Sequence, residues 1–374
     1  MIPSHVFEKT LLAFFAPIRP YLDDPTVSEI MINGPSQIYV ERHGTLSLVD
    51  ARFDTREALV AAVRNLSQFV GKPVGPDRPI LEGRMPDGSR VEAIMPPVAP
   101  DGPHVSIRRF FKETLTIERL IGFGSLSPEA AHALRVFVVA KVNILVSGGT
   151  GSGKTSMLNA LSGFIPDGER VVVIEDSREV QFQKPHVLQL EARPADAKGN
   201  GAVSIRDIFR ATLRMRPDRV VVGEIRGGEA LDIVQAMTSG HGGCMGTLHA
   251  THPRDTLARM ETMAMMSDVD MPLAAMRAQI GSGVQVIVQV ARQEDGSRKV
   301  THVTEVVGFD PARQAYALQD LLVRRYATGR DGRVESTLVA TGIVPNCKAQ
   351  LDEHGVRLPE SMTRAGTWVP EKKS

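Results

Sequence analysis

At 374 residues the chain exceeds what one hydrophobic core usually supports, so two domains are expected. Its 44 Lys and Arg nearly balance 43 Asp and Glu, and a net charge of +1 argues against a broad nucleic-acid footprint. Two distant cysteines, Cys244 and Cys347, read as reduced thiols of a cytoplasmic protein, and no apolar run reaches the roughly 18 residues of a spanning helix. Residues 4–16 form a helical pattern. LLAFFAP (Leu11 to Pro17) is preceded by Glu8 and Lys9 and followed by Arg19, which suits an amphipathic helix better than a signal core. Pro17, Pro20, Asp24 and Pro25 break it, so 1–24 is expected to be a helix and linker.

From Val27 short alternating runs follow one another: SEIMIN, QIYVE and TLSLV, separated by Asn33-Gly34-Pro35 and His43-Gly44. Thr55 to Val70 carries Leu59, Val63, Leu66 and Val70 at helical spacing, with Thr55 as cap. ILEGRM and RVEAIMP then flank Pro86-Asp87-Gly88, and HVSIRRFF closes the set. This predicts an α+β domain over 25–112, a linker over 113–126, a second domain over 127–345 and a tail over 346–374.

The second domain opens with Ser127-Pro128-Glu129, a cap followed by proline in the first helical turn. Val142 to Leu158, VNILVSGGTGSGKTSML, then reads as strand, glycine-rich loop and helix. In that context Gly148, Gly149, Thr150, Gly151, Ser152 and Gly153 let backbone N–H groups converge on phosphate, and Ser156 follows in the first helical turn. Lys154 is placed to reach the β- and γ-phosphates and the Thr155 hydroxyl to hold Mg²⁺. RVVVIED, DRVVVGE and GGCMGTLHA read as strands, with SIRDIFRATLRMR and GGEALDIVQAMTSG as helices between them. That alternation predicts a mostly parallel sheet with helices on both faces.

ARPADAKGNGA, between Glu191 and Val203, reads as a mobile loop. Arg206, Arg210 and Arg214 line one helix face, either as a solvated stripe or for contact between subunits. Residues 253–282 read as two helices split near Pro272, with Met260, Met263, Met265, Met266 and Met271 as core fillers or an adaptable groove. VQVIVQV and KVTHVTEVVGF suit a hairpin about Glu294-Asp295-Gly296, and the final dozen residues are expected to lack structure.

Hydrolysis of a bound triphosphate needs a water-orienting carboxylate, metal support and positive charge. Glu175, Asp176 and Glu179 follow one strand and Glu224 another, where an open α/β sheet places its ligand crevice. Asp218 precedes its strand, so the usual aspartate at the strand end is absent. Glu224 could equally pair with Arg226 at the surface, and Glu179 could be a solvated charge. His241 and His249 could sense the γ-phosphate, pair with a carboxylate or serve structure alone. No NKxD base-reading segment of a GTPase occurs, and no His/Cys spacing suits zinc.

Taken together, GGTGSGKT, IEDSREV, VVVGEIRG and SGHGGCMGTLHA resemble, in order and spacing, the Walker A, Asp box, Walker B and His box of the type II and type IV secretion traffic ATPases. The similarity is greatest to the CpaF-type ATPases of Tad/Flp pili and extends from about Val27 to Phe309, with Thr251 and Gly242 departing from the usual His box. The resemblance implies a RecA-like phosphate-loop domain behind a smaller α+β domain, binding ATP and Mg²⁺. It further implies that Glu179 orients water, that Glu224 supports Mg²⁺, and that Arg90 and Arg108, with Arg84 a weaker candidate, reach a neighbouring subunit's phosphates. The partners so implied are a homo-hexamer and polytopic inner-membrane platform proteins, with the protein cytoplasmic and peripheral to that membrane. A conjugation-type transfer ATPase, a DNA motor and a nucleotide-dependent switch are the alternatives.

Overall fold

The computed structural model describes residues 4–110, 115–195, 199–328 and 334–363. The chain divides into two units, Met1–Glu113 and Thr114–Ser374. The first holds α1 (Ser4–Phe14), α2 (Arg19–Asp23), β1 (Val27–Asn33), β2 (Gln37–Arg42), β3 (Thr45–Val49), α3 (Arg56–Val70), β4 (Ile80–Arg84), β5 (Arg90–Ile94) and β6 (His104–Arg108). Its strands form one antiparallel sheet ordered β3-β2-β1-β6-β5-β4. Alternation sends Ile30 and Ile32 into the core and Glu29 and Met31 to the opposite face. Leu59, Ala62, Val63 and Leu66 of α3 meet that core, and the Thr55 hydroxyl caps the helix by accepting from the Ala58 N–H at 3.1 Å.

The helix expected within 1–24 is present as α1, and the part expected to link is packed instead. Leu11, Phe15, Ile18 and Leu22 are buried in the same core. Pro17 and Pro20 lie in the first turns of short helical segments, where a missing N–H leaves no bond unmade, so they redirect the chain without ending its packing.

The second unit contains α4 (Ile117–Gly122), α5 (Pro128–Val139), β7 (Ile144–Gly148), α6 (Lys154–Ser162), β8 (Val171–Glu175), β9 (Val187–Glu191), α7 (Ile205–Thr212), β10 (Arg219–Val222) and α8 (Glu229–Thr238). It continues with β11 (Met245–Leu248), α9 (Pro253–Ala264), α10 (Leu273–Gly283), β12 (Val286–Arg292), β13 (Arg298–Asp310), β14 (Ala315–Thr328), β15 (Val334–Ala340) and α11 (Lys348–Glu353). The sheet order is β15-β14-β13-β12-β7-β11-β10-β8-β9, parallel from β9 to β12 and antiparallel beyond. Successive residues of one strand serve opposite faces. Ile144, Val146, Val171 and Val173 join α5 and α6 in one core, while Leu145, Val172 and Ile174 join α8, α9 and α10 in the other.

Several expectations change here. The 113–126 linker contains α4, whose Ile117 and Leu120 are buried in the second unit's core together with Leu126. The 346–374 tail is anchored at its start: the buried Glu305 carboxylate accepts the N–H groups of Asn346 and Cys347, each at 3.0 Å, and Leu351 and Met362 are buried. Residues 364–374 lie outside the described residues, as does the centre, 196–198, of the loop expected after Glu191; Arg193 and Val203 close that loop by an antiparallel bridge. Strands β9 and β14 had no counterpart in the sequence reading. Met260 and Met263 are core, whereas Met265 and Met266 are exposed. Arg206 and Arg210 both pair with Asp232, at 2.6 and 2.9 Å, so that stripe is tied within the chain. No helix among the described residues is long and apolar enough to cross a membrane.

Helix α10 crosses β13 so closely that a Cβ on Gly281 would stand 2.7 Å from the Phe309 nitrogen. Gly281→Ala should therefore lower unfolding free energy by about 1–3 kcal/mol in a denaturant titration, the usual cost of overpacking. Unchanged stability would mean that this contact relaxes freely.

Candidate nucleotide site

The loop after β7 is shaped by glycine. A Cβ on Gly148 would lie 2.4 Å from both the Val290 carbonyl oxygen and Ser152 Oγ, so no side chain fits there. Gly151 and Gly153 adopt φ of 68° and 93°, the left-handed region that other residues enter at a cost. Ser152 Oγ donates to the Gly149 carbonyl at 2.8 Å and closes the turn, with Gly149 and Thr150 at its exposed tip. Helix α6 starts at Lys154, carrying Thr155 and Ser156 in its first turn. Its N-terminal amides and macrodipole favour an anion at this position.

Lys154 is mostly buried and turned back on its own loop. Its Nζ donates to the carbonyls of Gly148 and Gly149 at 3.1 and 3.0 Å and lies 3.3 Å from His249 Nδ1. His249 follows β11, and its Nε2 is 2.7 Å from Glu224 Oε1. Burial, then the Lys154 charge, holds the His249 pKa below its usual value. A neutral ring that donates from Nε2 to Glu224 and accepts at Nδ1 from Lys154 satisfies both contacts. Burial pushes the Glu224 carboxyl up, but the hydrogen bond and charge of Arg226, aided by His249 and Lys154, outweigh it and the pKa is lowered overall. Arg226 bonds Glu224 at 2.5 Å and Asp176 at 3.1 Å, linking the ends of β10 and β8.

Two Asp-box carboxylates serve different positions. Glu179 Oε2 accepts from Thr155 Oγ1 at 3.4 Å. Glu175 is only 3% exposed, and its Oε1 accepts the N–H groups of Glu179 and Val180, each at 2.8 Å. Its geometry positions Glu179. A Cβ on Gly223 would come 2.6 Å from Glu175 Cγ, so glycine must follow β10 for Glu175 to fit. One hydroxyl beside nearby carboxylates suits Mg²⁺, which keeps several waters and takes substrate phosphates as further ligands. Among the described residues no three His, Cys, Asp or Glu side chains gather as a metal cluster.

His241 is not part of this constellation. It precedes β11 while His249 follows it, and four residues of strand span roughly 13 Å, so it stands at the far edge of the sheet beside Cys244, whose Sγ bonds its carbonyl. Asp218 is also remote, accepting the Arg170 N–H at 2.8 Å. Arg108, Arg90 and Arg84 are cross-strand partners in β6, β5 and β4, with Glu29 next in register, and so form a single row on the first unit's sheet. Gln289 was not singled out in the sequence. It bonds Ser147 Oγ and donates to the carbonyls of Ala250 and Thr251 at 3.0 and 3.2 Å, pinning the chain just after His249. An amide inside the apolar run VQVIVQV, one of two there with Gln285, was its only signal.

A family model described as type II/IV secretion system protein matches residues 12–340. A Mycobacterium tuberculosis protein named for conjugal transfer is 34% identical over 292 residues, covering 76% of this chain and 82% of its own. The type IV secretion system protein PtlH of Bordetella pertussis is 33% identical over 308 residues, covering 75% and 91%. The crystal structure of the pilus retraction motor PilT with bound ADP superposes with a TM-score of 0.53 at 18% identity, covering 92% of this chain and 86% of that one, and supports the fold.

Burial pushes the Glu175 carboxyl from 4.5 up to about 7, against the opposing pull of its two backbone hydrogen bonds. The folded chain thus holds this proton more tightly than the unfolded chain. The resulting stability is complete below pH 4.5 and is lost as pH rises through about 7. Relative to Glu175→Gln, the wild type without nucleotide or Mg²⁺ should lose about 3 kcal/mol across that window in urea titrations. Parallel pH profiles for the two proteins would contradict this.

Proposed function

The chain belongs to the type II/IV secretion system protein family, and from that premise we propose that it is an ATP-hydrolysing motor serving type IV secretion or conjugal transfer. The names of its relatives favour this over the Tad/Flp pilus role suggested by the motif resemblance. The observation that carries the catalytic reading is the continuous chain of contacts from Lys154 through His249 and Glu224 to Arg226 and Asp176, which joins the phosphate loop to three strand ends.

In this reading the loop amides and Lys154 bind the β- and γ-phosphates, and Lys154 exchanges its carbonyl partners for phosphate oxygens as nucleotide enters. Thr155, with Glu224 acting directly or through water, would hold Mg²⁺, which supplies charge neutralisation at the phosphates when bound. Glu179 orients the attacking water, and Glu175 holds Glu179 in place. Arg90 and Arg108 act from a neighbouring copy in a homo-hexamer, where an arginine supplied in trans can be worth about 10³ to 10⁵ in rate. Cycling would drive rigid-body motions passed to polytopic inner-membrane platform proteins, with the ATPase held on the cytoplasmic side through them.

Lys154→Ala and Glu179→Gln should each lower steady-state ATP turnover by about 100-fold or more, the scale of losing phosphate anchoring or a general base. Near-native turnover in either removes the site assignment. Arg108→Ala should still bind nucleotide but turn over slowly, and mixing it with Lys154→Ala protein should restore part of the activity. No recovery in mixed rings would place that arginine's action within one chain. In cells, a Lys154→Ala strain that loses DNA or effector transfer while keeping its pili supports the transfer role; loss of pili alone supports the Tad reading.

A further inference from the structure

Two polar side chains stand where the strand period calls for aliphatic ones. On β12 and β7 the face packed against α8, α9 and α10 holds Ile287 and Leu145, and two residues further on Gln289 and Ser147 continue it. They are cross-strand partners, and Leu248 of β11 flanks Ser147 on the other side. Gln289 is 2% exposed and Ser147 is fully buried. Every polar group of the side-chain amide is used: Oε1 accepts from Ser147 Oγ, and Nε2 donates to the carbonyls of Ala250 and Thr251 at 3.0 and 3.2 Å. Thr251 is held a second time, its Oγ1 donating to Asp255 Oδ2 at 2.7 Å in the first turn of α9.

An aliphatic side chain at each position would fill the same space without the cost of burying polar atoms, so the bonds themselves need a reason. They join two particular points of the chain. Ser147 immediately precedes Gly148, where the phosphate loop begins, and Ala250 immediately follows His249. Strand pairing on one side and the amide on the other thus fix the His249 backbone relative to the loop. The His249 ring in turn lies 3.3 Å from Lys154 Nζ and 2.7 Å from Glu224 Oε1, contacts that a shift of about 1 Å would break.

We propose that Gln289 is a positioning residue for hydrolysis: through Ser147 and the Ala250 and Thr251 carbonyls it sets the place of His249 against the phosphate loop, and so the alignment of Lys154 with Glu224. The inference rests on the ATP-hydrolysing reading of the site. Gln289 acts through other residues, so its loss disturbs the alignment needed for turnover, while the loop amides remain to hold nucleotide.

Steady-state ATP turnover and binding of a fluorescent ADP analogue test this in the full chain, in wild type, Gln289→Met, Ser147→Ala and the double variant. Methionine keeps the length of Gln289 and removes all three bonds; alanine removes the Ser147 bond alone. Gln289→Met should lower kcat by about tenfold to 100-fold, the scale of a small misplacement at a reacting centre, with ADP affinity near that of wild type. Ser147→Ala should lower kcat in the same direction by less, and the double variant should be no slower than Gln289→Met, because the two residues act through one bond. Wild-type kcat in Gln289→Met overturns the proposal. So does a loss of kcat and ADP affinity together, which would make Gln289 a support of the fold alone. If Gln289→Met does not fold, Ser147→Ala decides by the same split: a lowered kcat with ADP still bound supports the positioning role, and an unchanged kcat overturns it. A wild type that binds ADP without turning over ATP overturns the hydrolytic reading and this inference with it, and one that binds no nucleotide overturns the phosphate-loop reading.

Discussion

Everything at the site depends on β7 being held in parallel register between β11 and β12. Parallel pairing brings the carboxyl ends of neighbouring strands to one edge, and with them the phosphate loop and His249. The register tolerates little slack, because Gly148 abuts the Val290 carbonyl and Ser147 bonds Gln289 of the same neighbouring strand. A slip of one residue would turn Val146 and Ile144 into the opposite core and move the loop away from its partners.

Within that frame the loop is internally satisfied. Lys154 rests on two loop carbonyls and on a neutral imidazole, which disperses a mostly buried charge. Glu224 keeps its charge through Arg226, and Arg226 is shared with Asp176. Lys154, His249, Glu224, Arg226 and Asp176 thus form one continuous chain of polar contacts. Glu175 belongs to a different layer, in which a buried carboxylate shapes the backbone from below.

Much of this was legible in the sequence because local chemistry and global placement agree. GGTGSGKT between a β-branched run and a helix leaves little room for another arrangement, and IEDSREV and VVVGE announced carboxylates at strand ends. The cap at Thr55 and the hairpin about Asp295 also read directly. What escaped depends on tertiary neighbours. His241 and His249 look alike in sequence, and only the intervening strand separates them. Strand β9 is a sheet edge, and β14 carries Arg324 and Arg325 amid its apolar residues, so neither shows a clean period of two. Gln289 gains meaning only from the strand ends it ties together. Pro17 and Pro20 looked like terminators because nothing local reveals the core that Phe15 and Ile18 enter.

The anchoring of Asn346 and Cys347 by Glu305 bears on where the chain can be shortened. Glu305 is 2% exposed and also receives Gln319. Cutting the protein just after the last strand would strip a carboxylate of two amide donors in a region water hardly reaches, and would uncover the pocket that Leu351 and Met362 occupy. The segment over 346–363 is therefore a lid on the second unit's core, and a boundary drawn at the end of the sheet would trim away part of what keeps that sheet folded.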